Sequence, residues 1–313
     1  MQTKLINLER RSKLLAALRK FFSERKFVEV ETPLLSTEII PEQHIEPLAI
    51  ATSRDATQHT ASWLQASPEL HMKRLVAAGM KAIYQVTHSF RSQEKGQLHN
   101  PEFTIVEWYR TGDDMQAGMT LLDQLCRTLL ETPSALRTSY SEVFGQHVGI
   151  CPHTSTTSEL SDRTQSLNIS VPEDIPQHDR DEWLNLLLAT QVEPKLGLAG
   201  PEILYDYPAS QAALAKITPR EDGIKVARRF ELYWRGIELA NGYDELTDAA
   251  ELRSRLEKAN IRRAADDRPA LPLPESLLSA MKTGLPPCSG CALGFDRLVM
   301  LALGAKSIAE VTA

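Results

Sequence analysis

Hydrophobic positions near the start of the chain recur with helical spacing. Leu8, Leu15, Leu18 and Phe22 fall on one face, and this spacing predicts a helix over about residues 6–26. The following segment, FVEVETP, predicts a short strand that ends at Pro33, because proline cannot donate a hydrogen bond to a strand ladder. Taken alone, this is an ordinary helix–strand unit.

The next segment is polar and predicts an irregular loop over residues 36–60. Ser67-Pro68-Glu69 then predicts the start of a helix, because serine is a good N-cap and proline is favoured at the first helical position. Gly79 is placed to end that helix.

A hairpin is predicted by FRSQEKGQLHNPEFTIVEWYR, in which two extended segments flank a polar loop of mixed charge. Arg91 lies where the first strand meets the loop. Because strand residues alternate between faces, Phe103, Ile105, Glu107 and Tyr109 share one side of the second strand. A carboxylate and a phenol on the side that Arg91 approaches suit a substrate that carries both an anion and a cation.

Residues 111–200 predict a helical insertion packed beside the main sheet, with an apolar helical patch at 183–188. Strands are expected to resume at 203–207 and at 230–241. The whole chain, 1–313, is therefore expected to form one domain.

A second hairpin is predicted by FELYWRGIELANGYDEL. A two-residue turn at 235–236 would pair Tyr233 with Glu238 and Glu231 with Ala240. Glu231 and Glu238 would then be diagonal neighbours on one face, and two facing carboxylates repel unless a cation lies between them. A divalent cation such as Mg²⁺ would supply that charge, whereas the alternative is two exposed glutamates on an edge hairpin.

The segment SGCALGFDRLVMLALG combines glycines with an apolar helix. Gly290 and Gly294 permit close backbone approach. Asp296 and Arg297 begin the helix, whose N-terminal end favours phosphate.

The amino-acid composition and net charge indicate the general class of protein. The 313 residues are 42% hydrophobic and 24% charged, which is typical of a globular protein. A net charge of −6 lowers the expectation of nucleic-acid binding. The sequence has no apolar run of membrane-spanning length and its N-terminus does not resemble a signal peptide, so a cytoplasmic location is expected.

Cysteine spacing offers one further candidate. Cys288 and Cys291 have the C-x-x-C spacing of half a zinc site or a redox pair, and the other two cysteines are Cys126 and Cys151. Since no second Cys/His pair accompanies them, we predict that Cys288 and Cys291 are small buried residues.

Together these segments resemble the three motifs of class II aminoacyl-tRNA synthetases of the lysine type, over about residues 5–311. GCALGFDRL before a helix is the most specific match. The resemblance implies an α+β fold with an antiparallel sheet flanked by helices, a homodimer built on the first motif, and no anticodon-binding domain.

The resemblance also implies ATP and Mg²⁺ as cofactors and a set of site residues. The implied catalytic arginines are Arg91 and Arg297. The implied ATP-binding residues are Arg91, Ser92, Gln93, His99, Asn100, Glu238, Leu239, Gly294 and Arg297. The implied amino-acid pocket consists of Ser67, Pro68, Glu69, Glu107, Tyr109, Asn241, Tyr243, Glu245 and Ala292. The implied metal ligands are Glu231 and Glu238.

Several phrases, among them SPELHMKRL and RFELYWRGIELANGYDELTDA, are similar to a short branch of this family. Its members activate (R)-β-lysine and transfer it to a lysine side chain of translation elongation factor P, with no stable tRNA binding. Synthetases for α-lysine have glycine where this chain has Ala292, and one methyl group changes discrimination by ~1–3 kcal/mol. The preference between α- and β-lysine stays open.

Three residues depart from the family pattern. Gln93 stands where glutamate is usual, Gln97 where a basic residue is usual, and Tyr243 where phenylalanine is usual. The two glutamines predict weaker ATP binding than in close relatives. Two other functions stay open. The acceptor could be tRNA or a free amine, or the protein could be a non-catalytic regulator that binds a lysine-like effector, which the two glutamines would support.

Overall fold

The computed structural model describes residues 2–51, 61–92, 94–173 and 175–313. The chain divides into two compact units. The first contains the residues up to Asp114, Thr128–Leu130 and Leu246–Ala313, and the second contains Met115–Arg127 and Glu131–Glu245.

The α-helices share ordinary lengths of two to six turns. In chain order they are α1 Gln2–Glu24, α2 Glu69–Ala77, α3 Met115–Leu130, α4 Tyr140–His147, α5 Thr157–Ser166, α6 Arg180–Leu187, α7 Ala249–Ala265, α8 Glu275–Gly284 and α9 Phe295–Leu303.

The strands range from short edge pieces to long central ones. In chain order they are β1 Val28–Glu29, β2 Leu35–Ser36, β3 Ala49–Ala51, β4 Ala61–Leu64, β5 Ala82–Phe90, β6 Glu102–Thr111, β7 Leu136–Ser139, β8 Glu202–Pro208, β9 Ile217–Pro219, β10 Lys225–Trp234, β11 Ile237–Asp244 and β12 Cys288–Gly294.

The first unit contains a sheet in the order β1-β5-β6-β12. β5 and β6 form the predicted antiparallel hairpin, β12 runs antiparallel to β6, and β1 is parallel to β5. The α+β fold class is confirmed. The sheet is mixed rather than wholly antiparallel, because the crossover through α2 returns the chain in the direction of β1.

The first helix is close to its prediction. It begins at Gln2 and ends at Glu24, after which Lys26 has a left-handed φ of 61°. Leu18 and Phe22 are buried as expected, and the ring of Phe22 stacks on Tyr84 of β5 at 4.4 Å between centroids. Phe22 also contacts Trp108 of β6 at 5.4 Å, so this helix face covers the sheet.

Two predictions about the segment after Pro33 need correction. The segment predicted as an irregular loop over 36–60 contains β3 and the end of β2, and both strands pair with β4 in a small antiparallel sheet. Residues 52–60 of that loop lie outside the described part. The helix α2 begins at Glu69 with Pro68 as its N-cap, so Pro68 lies one position earlier than predicted. Gly79 ends the helix as expected, with φ +107° and its N–H bonded to the Val76 carbonyl at 2.9 Å.

The second unit contains the order β11-β10-β8-β7, with β9 also paired to β10. Within residues 111–200 the chain forms α3, β7, α4, α5 and α6. Buried side chains of α4, α5 and α6 pack with Leu204, Tyr207, Ala227 and Tyr233 of the sheet in one hydrophobic cluster.

The predicted turn between β10 and β11 is present, with left-handed φ values of 55° at Arg235 and 73° at Gly236. Tyr233 pairs with Glu238 as predicted. The predicted pairing of Glu231 with Ala240 is wrong by one residue, because a β-bulge lies between Leu232 and Tyr233 and Glu231 pairs with Asn241 instead.

The remaining predictions concern the cysteines and membrane segments. Cys288 and Cys291 are both buried on β12, as expected, and their spacing of three along a strand directs them to opposite faces. All four cysteines are free thiols. Within the described residues, no helix combines the length and the apolar character needed to cross a membrane.

Candidate active site

Two carboxylates meet where α2 begins beside β6 in the first unit. The hydroxyl of Ser67 accepts a hydrogen bond from the backbone N–H of Glu69 at 3.0 Å and donates to Glu107 Oε2 at 2.6 Å. The Tyr109 hydroxyl donates to Glu107 Oε1 at 2.6 Å. Ser67 therefore links the two glutamates, and the period-two alternation of β6 places Glu107 and Tyr109 side by side.

Burial perturbs the charge of Glu107. Only 1% of this residue is exposed. Burial, and then the neighbouring charge of Glu69, raise the pKa of Glu107 to about 7, against the opposing effects of Ser67, Tyr109 and Lys73. A buried carboxyl poised near neutrality is typical of a functional site, and its ionised form would attract an ammonium group.

Ala292 lies beside this carboxylate. In the antiparallel pairing of β12 with β6, Ala292 is directly opposite Glu107 and Gly290 is opposite Tyr109. Side chains at paired positions share a face and lie ~4.5–5.5 Å apart at Cβ. The methyl group of Ala292 therefore borders the Glu107 carboxylate. Pro68, the N-cap of α2, is buried.

Arg91 occupies the end of β5, at the mouth of the hairpin loop. Its backbone N–H bonds to the Pro101 carbonyl at 2.9 Å, and its guanidinium lies 5.0 Å from the centre of the Phe103 ring. Glu94 Oε1 is 3.6 Å from Arg91 Nη1. Arg91 Nε is buried and has no hydrogen-bond partner among the described residues. Because a buried unpaired donor is costly, this guanidinium fits an anionic ligand such as a carboxylate or a phosphate.

The rest of the loop is anchored to other parts of the first unit. The N–H of Ser92 bonds to the Glu46 carbonyl at 2.8 Å, and the Gln97 carbonyl accepts a bond from the Ile308 N–H at 3.0 Å. The side chain of Gln97 is exposed. Gln93 lies outside the described residues, so its predicted contact with adenine stays a prediction.

His99 and Arg297 come together as the resemblance implies. Arg297 Nη2 contacts His99 Nε2, and Arg297 Nε donates to the Leu98 carbonyl at 3.2 Å. Burial, followed by the charge of Arg297, lowers the pKa of His99, so the imidazole is neutral near pH 7. Asn100 follows, half-buried, in the same loop. A guanidinium and a neutral imidazole at this position can both bind phosphate oxygens.

The helix that carries Arg297 is fixed at its first turn. Gly294 is the N-cap of α9, and Asp296 accepts the Thr104 N–H at 2.9 Å. Asp296 also forms an ion pair with Arg11 of α1 at 2.6 Å. These contacts hold the N-terminal end of α9 against β6, which is where an anion would be favoured.

In the second unit, the carboxylate of Glu231 is enclosed by donors. Tyr207 and Tyr233 donate to Oε2 at 2.5 and 2.6 Å, and Arg229 Nε donates to Oε1 at 3.1 Å. Burial alone would raise the pKa of Glu231, but Arg229 and the phenol donors outweigh it and hold that pKa below its usual value. Glu231 is therefore ionised, and its charge is already compensated.

The β-bulge decides which side chains share a face with Glu231. Glu238 pairs with Tyr233, while Asn241 and Tyr243 pair with Glu231 and Arg229. Without the bulge, Glu238 would fall on the face opposite to Asn241, because their separation is odd. The extra residue is the buried Leu239, so all three polar side chains lie on one face.

Polar residues continue along β11 and just past its end. Asn241 Nδ2 donates to the Tyr243 hydroxyl at 3.2 Å. Glu245 is buried, with 1% exposed, just after β11 and forms an isolated bridge with Ala215.

The two implied metal ligands fit Mg²⁺ unequally. Glu238 is half-buried at the start of β11 and has the carboxylate chemistry that Mg²⁺ prefers. Glu231 in its present contacts does not fit a direct ligand, because a metal would have to replace Arg229 or a tyrosine. Among the residues that the structure describes, no three His, Cys, Asp or Glu side chains form a cluster for a metal ion.

Sequence reasoning missed three basic residues that form ion pairs with carboxylates in the two units. Lys73 pairs with Glu69, Arg229 pairs with Glu231, and the fully buried Arg263 pairs with Glu46 at 2.9 Å. The first two have local signals, namely the i, i+4 spacing on a helix and the i, i+2 spacing on a strand. Arg263 is 217 residues from its partner and has no such signal.

One comparison with known proteins bears on this arrangement. The family model of the class II tRNA synthetases for Asp, Lys and Asn (D, K and N) matches residues 2–313. The match covers the β5–β6 hairpin with Arg91 and Glu107, and α9 with Arg297. This chain therefore belongs to the class II (D, K and N) tRNA synthetase family.

Proposed function

We propose that this protein activates (R)-β-lysine with ATP and transfers the β-lysyl group to a lysine side chain of translation elongation factor P. Membership in a family of ATP-dependent amino-acid ligases supports the activation step. The observation that carries the choice of a lysine-like substrate is the buried carboxylate of Glu107, which is joined through Ser67 to Glu69 and bordered by Ala292.

The first step joins two anions and therefore needs positive charge. The substrate carboxylate attacks the α-phosphorus of ATP, a phosphorus–oxygen bond forms, and pyrophosphate leaves. Arg91, whose Nε is buried without a partner, would bind the two reacting groups and offset the developing charge. Arg297 and His99 would hold the phosphates, and positioning supplies most of the rate.

Mg²⁺, when bound, would neutralise phosphate charge, and Glu238 is the carboxylate that would hold it.

In the second step, the acceptor lysine of elongation factor P reacts with the activated amino acid. The lysine amine attacks the acyl carbon, an amide bond forms, and AMP leaves with the former anhydride oxygen. The amine loses a proton to solvent, and no covalent bond to the enzyme is required.

We also propose that the active form is a homodimer. Leu5, Ile6, Val28, Leu34 and Leu35 are large apolar side chains that are 40–57% exposed around α1 and β1. Exposed large apolar side chains are typical of an interface when they form one surface. Light scattering on the purified protein at micromolar concentration tests this, and a monomer mass would contradict it.

ATP–pyrophosphate exchange tests the activation step. Exchange is expected with β-lysine and, more weakly, with α-lysine, and not with norleucine, which has the same length as lysine but lacks the second ammonium group. AMP release with tRNA or with a free amine as acceptor separates the other transfer reactions. Binding of lysine without exchange would favour the non-catalytic regulator. Gln93 and Gln97 would then be the first residues to replace by the usual glutamate and basic residue.

A further inference from the structure

A buried lysine lies among the carboxylates of the proposed amino-acid pocket. Lys73 is 1% exposed and its Nζ contacts Glu69 Oε1 one turn earlier on α2. It also lies 6.0 Å from the centre of the Tyr109 ring. A buried ammonium is stable only beside carboxylates, so Lys73 and Glu69 depend on each other.

The pocket therefore holds two carboxylates and one internal cation. The charged groups acting on Glu107 are Glu69, which raises its pKa, and Lys73, which lowers it; the Tyr109 phenol also faces it as a hydrogen-bond donor. The neighbouring strands β5 and β12 place Gln85 and Ala292 opposite Glu107, and neither side chain titrates.

Resting on the function proposed above, we propose that Lys73 is a positioning residue that sets the charge of this pocket. It neutralises Glu69 and holds one of its oxygens, which leaves the Glu107 carboxylate to bind a single substrate ammonium group. The pocket would then bind an amino acid that has a second ammonium group, either on its side chain or shifted along its backbone. The ammonium of Lys73 also keeps Glu69 and Glu107 from sharing a proton.

The test is ATP–pyrophosphate exchange with β-lysine on the full chain across about pH 6–8.5. In Lys73→Met, Glu107 keeps the effect of Glu69 and loses that of Lys73, so it is protonated at neutral pH. We expect KM for the amino acid to rise about fivefold at pH 7, because a rise of about one unit in the pKa of Glu107 from about 7 lowers its ionised fraction from about one half to about one eleventh. The increase should shrink to less than about threefold at pH 8.5, where Glu107 ionises, with kcat nearly unchanged.

Two variants separate charge from shape. Lys73→Arg keeps the cation and should hold KM within about threefold of wild type, whereas Lys73→Gln keeps a donor without charge and should behave like Lys73→Met. Lys20→Met is the matched control, because Lys20 forms an exposed i, i+4 pair with Glu24 at 3.8 Å. Thermal unfolding reports whether each variant is folded, and Lys73→Gln serves if Lys73→Met is not.

The outcomes distinguish this inference from the proposed function. If wild type catalyses exchange and the uncharged variants have a wild-type KM at pH 7, Lys73 does not set the charge. A loss that is equal at every pH and is not rescued by arginine shows a structural role only. If wild type does not catalyse exchange with any lysine-like substrate, the proposed function fails and the role of Lys73 fails with it.

Discussion

Replacing Arg263 by methionine tests whether a distant buried cation supports the candidate site. Its guanidinium is fully buried and donates to the carbonyls of Glu42, Ile45 and Pro269 at 3.1–3.2 Å and to Glu46 Oε2 at 2.9 Å. Methionine approximates the side-chain length but leaves the Glu46 carboxylate without its cation.

The expected loss of stability follows from these contacts. Removing one partner of a buried ion pair costs ~3–5 kcal/mol, and we take the lower end because 27% of the Glu46 side chain is exposed. About 3 kcal/mol corresponds to a fall in Tm of roughly 5 °C for a chain of 313 residues. Differential scanning fluorimetry at fixed pH measures this shift.

The same variant should weaken ATP binding, because the Glu46 carbonyl accepts the backbone N–H of Ser92 at 2.8 Å. We expect KM for ATP in pyrophosphate exchange to rise roughly tenfold, as for a loss of about 1.4 kcal/mol. Arg262→Met is the matched control, since the adjacent Arg262 is exposed and has only a 3.3 Å bond to Gln43. If both variants have the Tm and the KM for ATP of wild type, Arg263 does not stabilise the fold or the ATP site through Glu46.

Three further predictions concern specificity, stability and pH. Ala292→Gly should shift the kcat/KM ratio toward α-lysine by roughly 5–150-fold (~1–3 kcal/mol), and an unchanged ratio would reject the pocket argument. Gly197→Ala should destabilise the fold by about 2 kcal/mol or more, because its Cβ would lie 2.5 Å from the Tyr233 carbonyl oxygen at φ +67°. Gly223→Ala, with φ +82° and open space, should cost only about 1 kcal/mol in the same chemical denaturation experiment. Because Glu107 ionises near pH 7, KM for the amino acid should fall as pH rises through about 7, and Glu107→Gln should abolish that dependence.

Local periodicity predicted much of the first unit. Alternation along β6 placed Glu107 and Tyr109 on one side, and the Ser-Pro-Glu sequence located the start of α2 to within one residue. These features depend on contacts close in sequence, where propensity and spacing decide the structure.

The β-bulge at Tyr233 could not be predicted from alternation alone. Leu239 and Ala240 are consecutive and both buried, which breaks the period of two, but an apolar pair also fits a strand covered on both faces. The bulge places Glu238 on the same face as Asn241, which alternation without a bulge would not do.

One ion pair and one charge state were also beyond sequence reasoning. Arg263 and Glu46 are brought together only by the tertiary fold, and the charge state of Glu107 depends on burial that no local pattern reports. Strand pairing over 35–51 was missed because its short strands lack a periodic apolar pattern.

The intact mass of elongation factor P, after incubation with this protein, Mg-ATP and (R)-β-lysine, reports whether the β-lysyl group is transferred to the factor. We expect a gain of one lysyl unit on the factor, larger with β-lysine than with α-lysine and absent without ATP. An unchanged mass, in a reaction where β-lysine-dependent pyrophosphate exchange proceeds, would contradict transfer to this acceptor.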